Sequence, residues 1–199
     1  MIDYTYEQML HNDGYAVVCG IDEAGRGPLA GAVFAAAVIL PDGLVIDGLN
    51  DSKKLSEKKR DLLFDIIKEN AVSYGIASAS AAEIDELNIL NATMLAMRRA
   101  ADMLTPAPDA ALIDGNTSRG FSIHTQTLVK GDSLSPSIAA ASILAKVSRD
   151  RYMAELAEKY PEYNFAGHKG YPTKEHMDLV RKLGPCPEHR RSFLKFLDK

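Results

Sequence analysis

Apolar residues fall in short runs separated by polar stretches rich in glycine or proline. Three runs of strand length come early, Tyr15–Asp22, Ala32–Leu40 and Val72–Ser78, the first two joined by Glu-Ala-Gly-Arg-Gly-Pro. Two further runs, Asp109–Asp114 and Ile123–Val129, also read as strands. Between the second and third runs Ser56 caps a helix whose apolar face is Leu62, Leu63, Phe64, Ile66 and Ile67. Ser80 starts another helix, with Glu83 three residues on completing a capping box, and Asn88–Leu104 continues as an amphipathic helix. Ser135-Pro136 opens a long alanine-rich helix running to about Tyr160, because proline suits the first helical position. Beyond Pro161 the pattern predicts a glycine-rich loop, a helix over Thr173–Leu183, a Gly-Pro-Cys-Pro break and a final helix near Glu188–Leu197. This order predicts an α/β fold, a central sheet flanked by helices. The expected division is a sheet-containing part over residues 1–160 and a helical C-terminal extension over residues 161–199, within the same compact unit.

Size is consistent with one globular domain, at 199 residues of which 46% are hydrophobic. Cys19 and Cys186 are far apart in sequence, which predicts neither a disulfide framework nor a zinc site and points to a reducing, intracellular setting. The longest apolar run, Ala32–Leu40, is too short to span a bilayer, and no charged leader precedes an apolar stretch. A cytoplasmic protein without a membrane segment is expected. The net charge of −4 argues against a nucleic-acid partner until it is divided along the chain. Residues 1–158 hold 14 Lys+Arg against 22 Asp+Glu, whereas residues 159–199 hold 9 against 5. A basic C-terminal fifth is compatible with phosphate contact, and equally with a solvated surface.

The stretch Gly20–Gly27 carries the strongest chemical signal, since an apolar strand runs straight into Asp22 and Glu23 and then Gly25-Arg26-Gly27. Adjacent carboxylates at the end of a buried strand are costly to desolvate unless a cation neutralises them, and hard divalent ions favour oxygen ligands. The glycines allow close backbone approach to a ligand, and the guanidinium fork suits phosphate. Asp114 and Asp132 stand at or just past the ends of later strands. If those ends share a sheet edge, the four carboxylates converge in a cleft suited to two-metal phosphodiester chemistry. Each has a plainer reading, Asp114-Gly115-Asn116 as a turn and Asp132 as a cap. Lys146 and Arg149 either pair with Asp150 or meet phosphate, and Tyr171, beside His168 and Lys169, either packs on a sugar or anchors its loop. Gly131-Asp132-Ser133-Leu134 matches a serine-esterase signature with Ser133 as nucleophile, but the Asp-x-x-His that should accompany it is absent. No P-loop occurs.

Together these motifs resemble the ribonuclease HII family over nearly the whole chain. The resemblance rests on Asp22-Glu23-Ala-Gly-Arg-Gly, Asp51-Ser52-Lys53-Lys54-Leu55, Ile113-Asp114-Gly115-Asn116, Lys130-Gly131-Asp132, Ala139–Asp150 and Gly167-His168-Lys169-Gly170-Tyr171, in that order. It implies a ribonuclease H-like fold with a five-stranded mixed sheet. It also implies an endonuclease using two Mg²⁺ or Mn²⁺ ions, which cuts the RNA strand of RNA–DNA hybrids. Duplex DNA would be nicked 5′ of an embedded ribonucleotide, leaving 5′-phosphate and 3′-hydroxyl ends. By the same resemblance Asp22, Glu23, Asp114 and Asp132 are the metal-binding catalytic carboxylates. Gly25, Arg26 and Gly27 contact the ribonucleotide and Tyr171 packs on the following deoxyribose. Lys53, Lys146, Arg149, His168 and Lys169 are further expected substrate contacts. The sister ribonuclease HIII family carries an additional N-terminal domain and a glutamate as fourth carboxylate, so Asp132 favours type HII. A monomer is expected, and a non-catalytic hybrid-binding module is the competing reading from another class.

Overall fold

A computed structural model describes residues 2–197. Five strands build one sheet: β1 (Val18–Ala24), β2 (Val33–Ile39), β3 (Ser73–Ala79), β4 (Ala110–Asp114) and β5 (His124–Leu128). They lie in the order β3-β2-β1-β4-β5. β1 pairs antiparallel with β2 and β2 with β3, whereas β4 runs parallel to β1 and β5 parallel to β4. The C-terminal ends of β1, β4 and β5 therefore share one edge.

Among the described residues seven α-helices accompany the sheet: α1 (Thr5–Asn12), α2 (Glu57–Asn70), α3 (Ala81–Leu87), α4 (Ile89–Asp102), α5 (Pro136–Lys159), α6 (Phe165–His168) and α7 (Lys174–Leu183). Side chains alternate across each strand, so the two faces bury different sets. Cys19, Ile21, Val33, Ala35 and Ala37 pack with Ile84, Met94, Met97 and Ala100 of α3 and α4. Ala36 and Val38 on the opposite face pack with Leu63, Phe64 and Ile67 of α2 and with Ile143 and Leu144 of α5. Truncating a fully buried residue such as Ile21 to alanine would cost about 2–5 kcal/mol.

Helix α5 lies unusually close to β1, because a Cβ at Gly20 would collide with the α5 backbone at Ser137 and Ile138. Small residues Ala139, Ala140, Ala141 and Ala145 keep the rest of that helix near the sheet. Its middle turns thereby reach the edge where β1 and β4 end. The N-terminus of α5 is fixed by Ser135, whose hydroxyl accepts from Ile138 N–H at 3.2 Å and donates to buried Glu7 of α1 at 2.6 Å.

Most predicted elements form, and the local signals explain their ends. Ser56 caps α2, Asn88 caps α4, Thr173 caps α7, and Ser80 with Glu83 makes the full capping box. Three expectations need correction. The first strand begins at Val18 rather than Tyr15, because Ala16 and Val17 donate their N–H groups to the Asp109 carboxylate at 2.8 and 2.9 Å instead of to a neighbouring strand. The segment before it holds helix α1, which the apolar pattern does not predict. The predicted helix over Glu188–Leu197 is instead two 3₁₀ turns, Arg191–Phe193 and Lys195–Leu197. Its N–H groups are used elsewhere: Arg190 donates to Leu29 O at 2.8 Å, and Arg191 and Ser192 to the Asp85 carboxylate at 2.8 and 2.9 Å. Asp198 and Lys199 lie outside the described residues.

The C-terminal segment packs on the far end of α5. Val180, Cys186 and Leu194 form one cluster with Met153 and Leu156 of α5 and with Leu29 and Ala30 of the β1–β2 turn. A short bridge between Ala30 and His189 stitches that turn to the segment.

Candidate active site

The last paired residues of β1 and β4 are Ile21 and Ile113, so one step further on each strand Asp22 and Asp114 stand beside each other on the same face. Glu23 follows on β1. Asp132 sits in the 3₁₀ turn Gly131–Ser133 just past β5, and that turn is tied to β4 because Gly131 N–H donates to Asp114 Oδ1 at 2.7 Å. The structure thus brings the four sequence-predicted carboxylates to one sheet edge.

Their charges are poorly compensated. Burial, reinforced by Glu23 and Asp114, raises the Asp22 carboxyl well above the usual range, although Ser142 and the Glu23 N–H bond it. Burial also raises Glu23, against the pull of Arg26, whose Nη1 is 3.3 Å from Glu23 Oε1. Asp132, only 4% exposed, is pushed up to about 6 by burial and by the charges of Asp51 and Asp114, and it shares a hydrogen bond with Asp51. Burial would lower the Lys53 ammonium, but Asp22, Asp132, Asp51 and Asp114 outweigh it and raise its pKa. A lysine is the internal counter-ion of the cluster. Oxygen-only donors crowded until the proton affinity of Asp22, Glu23 and Asp132 rises fit a hard divalent cation, which would compensate the same charge. Among the described residues no three acidic, histidine or cysteine side chains stand close enough to hold a metal ion as they lie.

Beside the carboxylates a cleft of ≈ 300 Å³ is lined by Glu23, Gly25, Arg26, Gly27, Ser52, Lys53, Ser142, Lys146, Arg149 and Tyr171. A hollow of ≈ 400 Å³ near Arg98 and Phe121 has only Asp102 as an acidic group and lies away from the strand ends. Gly25 adopts φ +98, and a Cβ there would strike the Arg149 side chain, so the turn needs glycine for both reasons. Tyr171 is 43% exposed and its ring edge approaches Gly27. Lys146 lines the cleft while its Nζ bonds Asp150 Oδ1 at 2.7 Å, which is the salt-bridge reading of that residue.

Three expected substrate contacts are placed otherwise. Arg149 is buried, and its guanidinium donates to the carbonyls of Ala32, Ala30 and Lys169 while lying 5.8 Å from the Tyr171 ring. It braces the cleft wall, and these bonds leave its Nη1 without a hydrogen-bond partner among the described residues. His168 is buried too, with Nε2 on Tyr163 O at 2.8 Å and Nδ1 accepting from Gly170 N–H at 3.2 Å, which uses both ring nitrogens. Lys169 lines a separate charged hollow with Glu57, Arg60 and Asp150. Sequence reasoning missed Asp51, Ser142 and above all Arg190. Arg190 is fully buried and donates to the carbonyls of Gly25, Arg26, Pro28 and Gly31 at 2.6–2.9 Å, fixing the whole glycine–arginine turn from behind. Ser133 Oγ meets Asp132 and Lys54, and among the described residues no imidazole bonds it, which removes the esterase reading.

A mixed sheet in this order, with acidic residues at the ends of its first and fourth strands, defines a ribonuclease H-like hydrolase fold. A solved ribonuclease H2 from Pyrococcus horikoshii OT3 superposes with a TM-score of 0.75 at 25% identity, covering 92% of this chain and 97% of that one. The ribonuclease HII in a PCNA complex from Archaeoglobus fulgidus gives 0.73 at 26%, covering 89% and 95%. A Mn²⁺ complex of Bst-RNase HIII, at 20% identity and 0.61, shares the fold, covering 87% of this chain and 65% of that one. The Ribonuclease HII family model matches residues 19–196. Ribonuclease HII of Caldicellulosiruptor bescii is 52% identical over 96% of this chain and 93% of its own, and that of Geotalea uraniireducens 55% over 94% and 87%. The chain belongs to the ribonuclease HII family.

Proposed function

We propose that the cleft at the shared end of β1, β4 and β5 is where this endoribonuclease hydrolyses the RNA strand of RNA–DNA hybrids. Family membership supplies the reaction class. The observation that carries the location is the convergence of Asp22, Glu23, Asp114 and Asp132 beside a glycine–arginine turn, with the proton affinity of Asp22, Glu23 and Asp132 raised.

Asp22, Glu23, Asp114 and Asp132 would hold two Mg²⁺ or Mn²⁺ ions. Such ions, when bound, activate a water for attack on phosphorus and stabilise the leaving 3′-oxygen. The protein's part is to place the backbone of the substrate strand. Exposed N–H groups of Gly25-Arg26-Gly27, held from behind by Arg190, can meet a 2′-hydroxyl, which is donor and acceptor at once and tells RNA from DNA. Arg26 sits half-exposed at the rim, placed for phosphate, and Lys53 and Lys146 add positive charge along the cleft. Tyr171 offers a ring face for the sugar that follows. The scissile bond is then the P–O3′ bond on the 5′ side of the ribonucleotide, leaving 3′-hydroxyl and 5′-phosphate. A duplex carrying one ribonucleotide, incubated with and without Mg²⁺ or Mn²⁺, tests this. A metal-dependent nick 5′ of the ribonucleotide is expected, and an uncut duplex that is nevertheless bound would make the protein a binding module. No described helix is long and apolar enough to cross a membrane. A monomer is the assembly we favour.

A further inference from the structure

Cleavage chemistry leaves three buried histidines and a buried cysteine without a role: His168, His176, His189 and Cys186. They lie together behind the Tyr171 loop, His168 stacked on His176 with ring centroids 4.1 Å apart. Their hydrogen bonds determine where each proton sits. Backbone N–H groups can only donate and carbonyls can only accept. Cys186 N–H reaches His189 Nδ1 at 3.0 Å, so that nitrogen is an acceptor, and the Cys186 thiol points at the same atom at 3.1 Å. The His189 proton is therefore on Nε2, which faces His176 Nε2 at 3.0 Å. His176 accepts there, and its own proton is on Nδ1, 2.9 Å from the Tyr171 carbonyl. Every donor in this chain has one acceptor, with all the rings neutral. Burial, then repulsion from His176, holds His189 down to about 4, and burial also lowers His176.

The far end of the chain is a place where the backbone needs support. Lys169 and Gly170, just before Tyr171, have φ of +51 and +80, and for lysine that conformation is strained. The Tyr171 ring, 43% exposed, has no enclosing core to hold it, so its position at the cleft mouth follows from its backbone. That backbone is bonded by Thr173 N–H and by His176 Nδ1 at the carbonyl, and through its own N–H to His168 O at 2.9 Å.

We infer that His176 is a positioning residue for recognition of the RNA–DNA junction: the relay Cys186–His189–His176 fixes the Tyr171 carbonyl and so sets the ring against the sugar. This rests on the reading of Tyr171 given above. The relay touches no substrate; it acts through the loop.

The test compares the wild type with Tyr171→Ala, His176→Leu and His176→Asn on two substrates, a duplex with one ribonucleotide and a long RNA–DNA hybrid, with Mn²⁺ binding followed by calorimetry. Leucine fills the ring's volume without its hydrogen bonds, whereas asparagine can present an amide N–H near the position of Nδ1. His176→Leu is expected to lose about tenfold to a hundredfold on the single ribonucleotide, with a much smaller loss on the hybrid and unchanged Mn²⁺ binding. His176→Asn should recover most of that loss. A selective loss in Tyr171→Ala without one in folded His176→Leu overturns the inference alone. Equal losses on both substrates in Tyr171→Ala overturn the junction reading and this inference with it. Where His176→Leu does not fold, ¹⁵N spectra of the histidines in the wild-type protein decide: His176 must carry its proton on Nδ1 and His189 on Nε2, and any other pair of tautomers removes the relay.

Discussion

Replacing Asp132 with asparagine separates the metal site's electrostatics from the stability of the fold. In the metal-free protein the Asp132 carboxyl is pushed from 3.8 up to about 6, so ionising it near neutral pH opposes folding. Two pKa units correspond to about 3 kcal/mol, and because solvent beyond the sheet edge and Lys53 screen this charge we expect about 1–2 kcal/mol of that to be recovered when it is removed. An asparagine amide can also donate to Asp51, replacing the proton now shared between the two carboxyls. For a domain of this size 1 kcal/mol shifts Tm by roughly 2–4 °C, so the variant should melt about 2–8 °C above wild type in EDTA at pH 8. The sign follows from linkage. An acid whose folded pKa is raised binds more protons in the native state, so the wild type loses stability as pH rises from about 4 through 6 while the variant lacks that loss. The gap between them should therefore open over that window, vanish near pH 4 and stay constant above about 7. Calorimetric scans at several pH values, with and without Mn²⁺, measure it. Saturating Mn²⁺ should narrow the gap by stabilising the wild type more, and cleavage by the variant should fall by about two decades or more. A variant that melts below wild type in EDTA at pH 8, or one that cleaves normally, would refute the crowding of charge at this edge.

Three further outcomes are expected. Gly25→Ala should lose cleavage on both substrates and about 2 kcal/mol or more of stability, by denaturant unfolding, because its Cβ meets Arg149 and its φ is +98. Arg190→Lys, which keeps the charge but not the fork that reaches four carbonyls, should lower stability by about 3 kcal/mol and loosen the turn, detected as faster amide exchange at Gly25–Gly27; unchanged exchange would show that the turn holds itself. Replacing exposed Lys174, Arg181 and Lys182 together by alanine should weaken hybrid binding and flatten the dependence of log Kd on log salt by about 0.9 for each phosphate no longer neutralised, whereas an unchanged slope would leave these residues as solvated surface.

Much of the sheet was legible because its signals are local. Ser56, Ser80 with Glu83, Asn88, Ser135 and Thr173 cap helices where the sequence places them, and the apolar runs became strands within three residues of their expected starts. Errors arose where distant partners took over backbone groups. Asp109 captured the N–H groups of Ala16 and Val17, and Asp85 those of Arg191 and Ser192, which no pattern along the chain announces. Helix α1 buries only Glu7 and Leu10, too few to show an apolar stripe, and Glu7 is fixed by Ser135 at the start of α5. The same asymmetry holds at the cleft. Carboxylates at strand ends can be placed once the strands are known, so Asp22, Asp114 and Asp132 could be read. Whether a cation or a histidine meets a buried carbonyl depends on packing between segments far apart in sequence, which is why the carbonyl bonds of Arg149, His168 and Arg190 could not be read along the chain.

The most direct measurement of the claim that these carboxylates make the cut is end-group analysis of a single-ribonucleotide duplex incubated with wild type and with Asp22→Asn at saturating Mg²⁺ or Mn²⁺. Wild type should yield a 3′-hydroxyl on the upstream strand and a 5′-phosphate on the ribonucleotide, with no product in EDTA. Asp22→Asn should bind the duplex and release no product. Wild-type turnover by Asp22→Asn, or 2′,3′-cyclic phosphate ends from attack by the ribose itself, would contradict the assignment.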